Sequence, residues 1–158
     1  MDIRIKFLGG ARTDTGSKYL LEIDDYKVLI DCGLFQGLKE LRTRNWEPFP
    51  IEAAEIDDVI LTHAHIDHSG YLPRLFKEGF RGDVFCTSPT ADLLEIMLLD
   101  SAKLQEEEAA YAAKKGYSQH EKPQPLYGTE DAESVFPYLR PCEMHKKVII
   151  HNRIEVCF

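Results

Sequence analysis

Apolar residues alternate with charged ones over Asp2–Leu8, at the start of the chain. This period of two is typical of a strand with one buried face. Two more strand-like runs cover Ser17–Ile23 and Tyr26–Ile30, with only two residues between them. Such a short gap suits a tight hairpin, so the pattern predicts three successive strands, of which the second and third pair directly.

The pattern changes after residue 37. Residues 37–56 carry two prolines and no sustained period, which predicts a loop with one short helical turn. Val59–Leu61 is a continuous apolar run, typical of a strand covered on both faces. The apolar spacing over Ser69–Lys77 predicts a short helix, and Asp83–Thr87 predicts another strand.

A long helix is predicted to start at Ser88-Pro89, with the serine as N-cap and the proline at the first helical position. It is expected to end near Gly116. Its part over Leu93–Leu99 is apolar nearly all round, whereas the part that follows is rich in glutamate and alanine. We therefore expect other parts of the protein to pack against the apolar half of this helix.

The last part of the chain mixes both types of element. Residues 117–128 are polar and predict a loop, and a shorter helix is expected to start at Thr129 or Glu130 and to run towards Leu139. Lys147–Ile150 and Arg153–Phe158 predict a final hairpin around a turn at residues 151–152. Helices interspersed with short strands indicate an α/β (α+β) fold.

Composition and charge narrow the class of protein. A chain of 158 residues with 44% hydrophobic and 29% charged residues is long enough for one globular domain with a real core. No apolar run approaches the roughly 20 residues of a membrane helix, and no signal peptide opens the chain, so a cytoplasmic protein without a membrane partner is expected. The net charge of −8 argues against broad electrostatic attachment to nucleic acid. It does not exclude a nucleic-acid enzyme, because a site for divalent cations is itself acidic.

The cysteines lie far apart and form no CxxC pair, so neither a thiolate zinc site nor a disulfide scaffold is indicated. We expect buried, reduced thiols at all four positions: Cys32, Cys86, Cys142 and Cys157.

The strongest chemical signal is Leu61–Gly70, which reads LTHAHIDHSG. His63 and His65, two apart at a strand end, can point to the same side and hold one ion. Asp67 and His68 can hold a second ion about 3.5–4 Å away, the separation in two-metal hydrolases. Imidazole and carboxylate donors suit zinc, manganese or iron. The alternative is a surface loop in which water or backbone carbonyls satisfy each ring.

This stretch resembles the HxHxDH signature of the metallo-β-lactamase fold, and Asp31 after a strand resembles an earlier aspartate of that fold. Other stretches resemble the amino-terminal part of its β-CASP subgroup, which comprises RNA-processing nucleases: Leu8–Arg12, Thr15–Leu21, Ile30–Gly37 and His68–Leu75. The resemblance covers essentially the whole chain. It implies the N-terminal half of an αββα sandwich, with a mostly antiparallel or mixed sheet and flanking helices.

The resemblance also implies a role for each residue of the site. His63 and His65 would bind the first of two zinc ions, and Asp67 and His68 the second, with manganese as another possible metal. Asp67 would orient the hydroxide that attacks phosphorus, and Asp31 would fix a ligand imidazole. The substrate would be RNA, cut internally or from its 5′ end.

Other ligands of the family have no counterpart here. None of the remaining histidines has the surroundings of the third metal-ligand histidine, and all are expected to be solvated: His120, His145 and His151. Residues 1–158 are therefore expected to form a partial domain that ends before that histidine and before the β-CASP insert. On this expectation the chain alone binds metal weakly, with partial occupancy, and hydrolyses no RNA at a useful rate.

Two other functions remain open. One is a non-catalytic module whose uncovered faces pair with a second copy or with a partner that carries the other half. The other keeps the fold but hydrolyses small esters, thioesters or lactams. The match over Ser69–Pro73 and the glycine-rich amino-terminal matches count against this last function.

Overall fold

The first three predicted strands are present in the computed structural model, which describes residues 1–116, 123–152 and 154–158. They are β1 (Ile3–Gly9), β2 (Lys18–Ile23) and β3 (Tyr26–Ile30). Each pairs with the next in antiparallel fashion. The predicted hairpin between β2 and β3 is therefore confirmed.

Three further strands extend the sheet beyond β3: β4 (Asp58–Ile60), β5 (Asp83–Thr87) and β6 (Leu139–Cys142). They lie in chain order, and each pairs in parallel with its predecessor, so the six-stranded sheet is mixed. β6 was not predicted, because it is only four residues long and contains Pro141, which strands tolerate mainly at an edge.

Five helices accompany the sheet: α1 (Lys39–Thr43), α2 (Ile66–Ser69), α3 (Leu72–Lys77), α4 (Ser88–Lys115) and α5 (Thr129–Glu133). The segment 37–56 holds α1 and two 3₁₀ turns, which is more than the single turn expected. The helix predicted over Ser69–Lys77 starts only at Leu72, because Ser69 ends α2. The helix predicted to run towards Leu139 ends at Glu133 and is followed by a 3₁₀ turn.

The start of α4 lies one position earlier than the sequence suggested. Thr87, not Ser88, is the N-cap, and its hydroxyl accepts a hydrogen bond from the Thr90 backbone N–H at 3.4 Å. The prediction was wrong because the last residue of β5 already carries a suitable hydroxyl, so Ser88 becomes helical. At the other end, Gly116 has φ +68° and closes the helix as a left-handed cap, as expected.

Helices α3 and α4 cover one face of the sheet. Val59 and Leu61 are fully buried in this core, whereas Ile60 is only partly buried. The expectation that this strand is covered on both faces is therefore wrong at Ile60. Neighbouring residues of a strand point to opposite faces, and the face of Ile60 has the thinner cover.

A separate hairpin of β7 (Lys147–His151) and β8 (Ile154–Cys157) forms the second sheet, and Arg153 of the predicted hairpin lies outside the described residues. The His151 ring stacks on the ring of Tyr26, with centroids 4.4 Å apart. This contact joins the hairpin to β3, on the face of the six-stranded sheet away from the core helices.

Large apolar side chains remain exposed on two surfaces. Ile3, Ile5 and Phe7 of β1 are 53%, 52% and 62% exposed. On α4, Leu93 and Ile96 are 50% and 70% exposed, although the opposite side of the helix is fully buried. The apolar half of the long helix, for which a cover was expected, is thus covered on only one side.

All four cysteines are free thiols. Three are buried as predicted, but Cys157 is exposed, because it lies on the small hairpin and not in the core. Among the described residues, no helix combines the length and apolar character needed to cross a bilayer.

Candidate metal centre

The site lies at the carboxyl ends of β3 and β4, where parallel strands of an α/β sheet usually present their ligand-binding residues. Ile30 pairs with Ile60 in the parallel ladder, and the Asp31 N–H donates to the Ile60 carbonyl at 2.8 Å. This register places Asp31 next to Thr62, the residue that leads into the histidine-rich motif. Residues 31 apart in sequence are thus brought together by the sheet alone.

Asp31 is the buried centre of a hydrogen-bond network. It is 2% exposed and has φ +60°, a left-handed conformation that aspartate adopts more readily than most residues. Its Oδ1 accepts from the Thr62 backbone N–H at 2.8 Å. Its Oδ2 lies 2.7 Å from His68 Nδ1 and 3.5 Å from Ser17 Oγ. The carboxylate therefore fixes the position of the His68 ring.

Hydrogen bonding also assigns the tautomers of two rings. The Thr62 hydroxyl lies 2.9 Å from Asp31 Oδ2 and donates its only proton to that carboxylate. It must then accept from His63 Nδ1, which is 2.9 Å away. His68 likewise carries its proton on Nδ1, which donates to Asp31. In the neutral form of each ring, the lone pair is then on Nε2, the form that a metal ligand requires.

The rings lie close to one another. The His63 centroid is 4.0 Å from that of His68 and 4.8 Å from that of His65. Partial burial, followed by the proximity of His68 and His65, lowers the pKa of His63 below its ordinary value. This shift favours the neutral form of His63, in which Nε2 can donate to a metal.

The donor set fits a divalent ion by its chemistry. His68 Nε2 and Asp67 Oδ2 are 3.4 Å apart. With the tautomer assigned above both atoms are acceptors, and two acceptors facing each other need a cation or a proton between them. Within residues 1–116, 123–152 and 154–158, however, no three His, Cys, Asp or Glu side chains already form a metal-binding group.

The backbone of the motif is held by neighbouring segments. Three main-chain hydrogen bonds of 2.7–3.0 Å do this: Ser17 N to Asp67 O, Cys32 N to His68 O, and Leu34 N to Ile66 O. The approach is so close that a Cβ on Gly33 would lie 1.6 Å from the Asp67 carbonyl oxygen. Helix α2 is thus positioned by main-chain contacts, which leaves its side chains available for chemistry.

All five residues singled out from the sequence lie together at this site, but their partners were missed. Thr62, Ser17 and Gly33 carried no signal of their own beyond their positions beside the motifs. Of the remaining histidines, His145 and His151 are exposed and belong to the segment around the small hairpin. His120 lies outside the described residues.

Comparison with known proteins identifies the family. The family model of the metallo-β-lactamase superfamily matches residues 12–80, which contain Asp31 and the whole histidine-rich motif. Ribonuclease TTHA0252 of Thermus thermophilus is 43% identical over 141 residues, which are 89% of this chain and 28% of that protein. Residues 12–80 thus belong to a metallo-β-lactamase superfamily domain.

The chain is also similar to the transcription termination factor FttA of Methanocaldococcus jannaschii. The two are 38% identical over 115 residues, which are 71% of the chain and 18% of the factor. The chain thus spans less than a third of the length of the two relatives. Among solved structures, the subclass B3 metallo-β-lactamase BJP-1 of Bradyrhizobium japonicum matches with a TM-score of 0.49 at 18% identity, over 94% of this chain and 46% of that one.

Proposed function

We propose that the complete protein is a metal-dependent hydrolase of RNA phosphodiester bonds, of the β-CASP type and active in the cytoplasm. The observation that carries this proposal is the network in which Asp31 and Thr62 leave Nε2 of His68 and His63 free, beside Asp67. RNA is favoured as the substrate because the two relatives reported above are named as a ribonuclease and a transcription termination factor.

Each residue of the motif has a role in this proposal. His63 and His65 would hold the first of two zinc or manganese ions, and Asp67 and His68 would hold the second. When bound, such ions supply Lewis-acid activation of water and of the phosphoryl group. Asp67 would accept a hydrogen bond from the attacking water and so orient it. Asp31 acts through His68, since it holds the Nδ1 proton and so keeps the ring in the ligand tautomer.

RNA cleavage tests the proposal directly. The complete protein is incubated with labelled single-stranded RNA and zinc or manganese, and His63→Ala and His151→Ala are compared with the parent. We expect cleavage that a chelator abolishes and that His63→Ala lowers by at least about 100-fold. His151→Ala should cleave normally, because its exposed ring stacks on Tyr26 outside the site. Cleavage that persists with chelator, or in His63→Ala, would rule the proposal out.

The 158 residues alone are a separate case. They offer four motif ligands to two ions, so we expect weak metal binding and little hydrolysis from them. A second candidate function, a self-associating module without catalysis, is favoured by one observation, the row of exposed apolar side chains on β1.

A further inference from the structure

A small cavity of about 180 Å³ lies beside β2 and is not used by the chemistry above. Its walls include two cationic side chains, Lys18 and Arg44, and three aromatic rings, those of Phe35, Phe49 and Tyr71. Lys18 is the first residue of β2, and Arg44 follows α1. The cavity thus combines positive charge with apolar walls.

Lys18 is buried without an anionic partner. The residue is 4% exposed, and its Nζ lies 4.5 Å from the ring centroid of Phe35 and 4.8 Å from that of Tyr71. In the described part of the chain, no carboxylate oxygen lies within 4.0 Å of this ammonium group. Burial, opposed by Cys32 and reinforced by Arg44, lowers the pKa of Lys18 to about 8.

Arg44 adds a second positive charge to the same place. Its Cζ lies 4.2 Å from the Phe35 ring centroid, so both cations contact one ring. Glu47 also lines the cavity, but among the described residues Arg44 has no carboxylate oxygen within 4.0 Å either. Two like charges that share a partly desolvated site repel each other unless an anion lies between them.

Cation–π contacts alone are the competing explanation. Two rings can attract a desolvated ammonium group, and this attraction helps to hold Lys18. A ring face does not, however, satisfy the three N–H donors of the ammonium group, and it does not remove the repulsion from Arg44. An oxyanion does both, and it can accept two parallel hydrogen bonds from a guanidinium.

We propose that this cavity is an anion site that binds one phosphate group between Lys18 and Arg44. The cavity of about 180 Å³ has room for the five heavy atoms of a phosphate. The phosphate group is supplied either by an RNA strand or by free inorganic phosphate. The site contains none of the metal-motif residues, so it does not depend on the proposed hydrolysis.

Calorimetric titration with inorganic phosphate tests the proposal. The protein is kept metal-free with a chelator at pH 7, so that phosphate cannot bind through a metal ion. We expect saturable binding that Lys18→Met and Arg44→Gln each weaken at least tenfold. Arg42→Gln is the matched control, because it removes an exposed guanidinium only two residues from Arg44. His63→Ala should bind phosphate normally.

Short RNA strands with and without a terminal phosphate separate the two sources. If RNA supplies the group, Lys18→Met weakens RNA binding and inorganic phosphate competes with the strand. If only inorganic phosphate binds, the free anion is the ligand. If Lys18→Met fails to fold, the phosphate affinity of Arg44→Gln tests the proposal instead. Absence of saturable phosphate binding, or binding that Arg44→Gln leaves unchanged, would overturn the proposal.

Discussion

Asp31 shows how one buried side chain can organise a site. It receives hydrogen bonds from Ser17 and from two residues of the histidine-rich motif, Thr62 and His68. Such a residue acts through the rings that it orients, so its removal should affect metal binding more than folding.

Asp31→Asn tests this role. Asparagine also adopts the left-handed conformation, so the substitution removes charge while it retains the backbone geometry. We expect the affinity for zinc or manganese to fall by about 10–100-fold, because a neutral amide holds the Nδ1 proton of His68 less strongly. Competition with a chromophoric chelator measures the affinity.

Asp24→Asn is the matched control for that measurement. Asp24 has φ +54°, close to the +60° of Asp31, but it lies in the exposed β2–β3 turn. The Asp24→Asn variant should bind zinc or manganese as tightly as the parent protein does. Equal affinities for all three proteins would show that the charge of Asp31 plays no part in metal binding.

Lys18 makes stability depend on pH. The pKa of its ammonium group is about 8 in the folded chain, against 10.5 for an unperturbed lysine. Between these values the unfolded chain binds more protons, so the contribution of Lys18 to the free energy of unfolding rises with pH. We therefore expect Lys18→Met to be more stable than the parent at pH 7, by up to about 3 kcal/mol.

The advantage of Lys18→Met should shrink as the pH rises from 8 to 10.5. Urea denaturation of both proteins in phosphate-free buffer gives the difference between their free energies of unfolding at pH 7 and at pH 10. Cys32, whose pKa burial raises to about 12, has the opposite effect in this range but is present in both proteins. A difference that stays constant with pH would contradict the expected titration of Lys18.

At the scale of elements, the sequence predicted what local patterns encode. The β2–β3 hairpin followed from two alternating runs around a two-residue gap, and β5 was predicted with its observed bounds. β6 was not predicted, because four residues around Pro141 form a strand only when β5 lies beside them. The start of α4 was missed by one residue because Thr87 and Ser88 have equivalent hydroxyls.

Substitution of Gly33 tests how closely the segment after β3 must approach the backbone of α2. Its added Cβ would meet the Asp67 carbonyl carbon at 2.1 Å, and main-chain atoms held by hydrogen bonds cannot move aside easily. We expect Gly33→Ala to lower the free energy of unfolding by about 3 kcal/mol or more. Gly128→Ala is the control, since there the nearest atom is the flexible Glu106 carboxylate. Equal losses of stability in the two variants would contradict the prediction.

At the scale of the whole molecule, the site was predicted in part. The motif spacing indicated four ligand residues, because adjacent positions in one short loop cannot lie far apart. The roles of Thr62 and Ser17 depend on strand pairing. Thr62 reaches Asp31 through the parallel pairing of β3 with β4, and Ser17 reaches it through the antiparallel pairing of β2 with β3. Topology of this kind cannot be inferred from residue spacing within one segment.

The exposed row on β1 predicts self-association of the 158-residue chain. Ile3, Ile5 and Phe7 are each more than half exposed, and contiguous apolar surface promotes association. Sedimentation velocity should show concentration-dependent dimers or larger species. Ile5→Thr combined with Phe7→Thr should shift the equilibrium towards monomer, since threonine keeps the strand propensity while it removes apolar area.

Leu93→Thr combined with Ile96→Thr is the companion variant, which alters the exposed surface of α4 and leaves β1 intact. It should associate like the parent if β1 is the contact surface. A parent chain that remains monomeric at high concentration would exclude self-association through either surface.

The main-chain hydrogen bonds around α2 have a consequence for mutational tolerance. Because Ser17, Cys32 and Leu34 bind the motif through backbone atoms, the frame does not depend on which side chains the motif carries. In a saturation library selected for folding alone, His65 and Asp67 should accept many replacements, while Gly33 accepts almost none. New donor sets, and hence new metals, could then be installed at this loop without redesign of the scaffold.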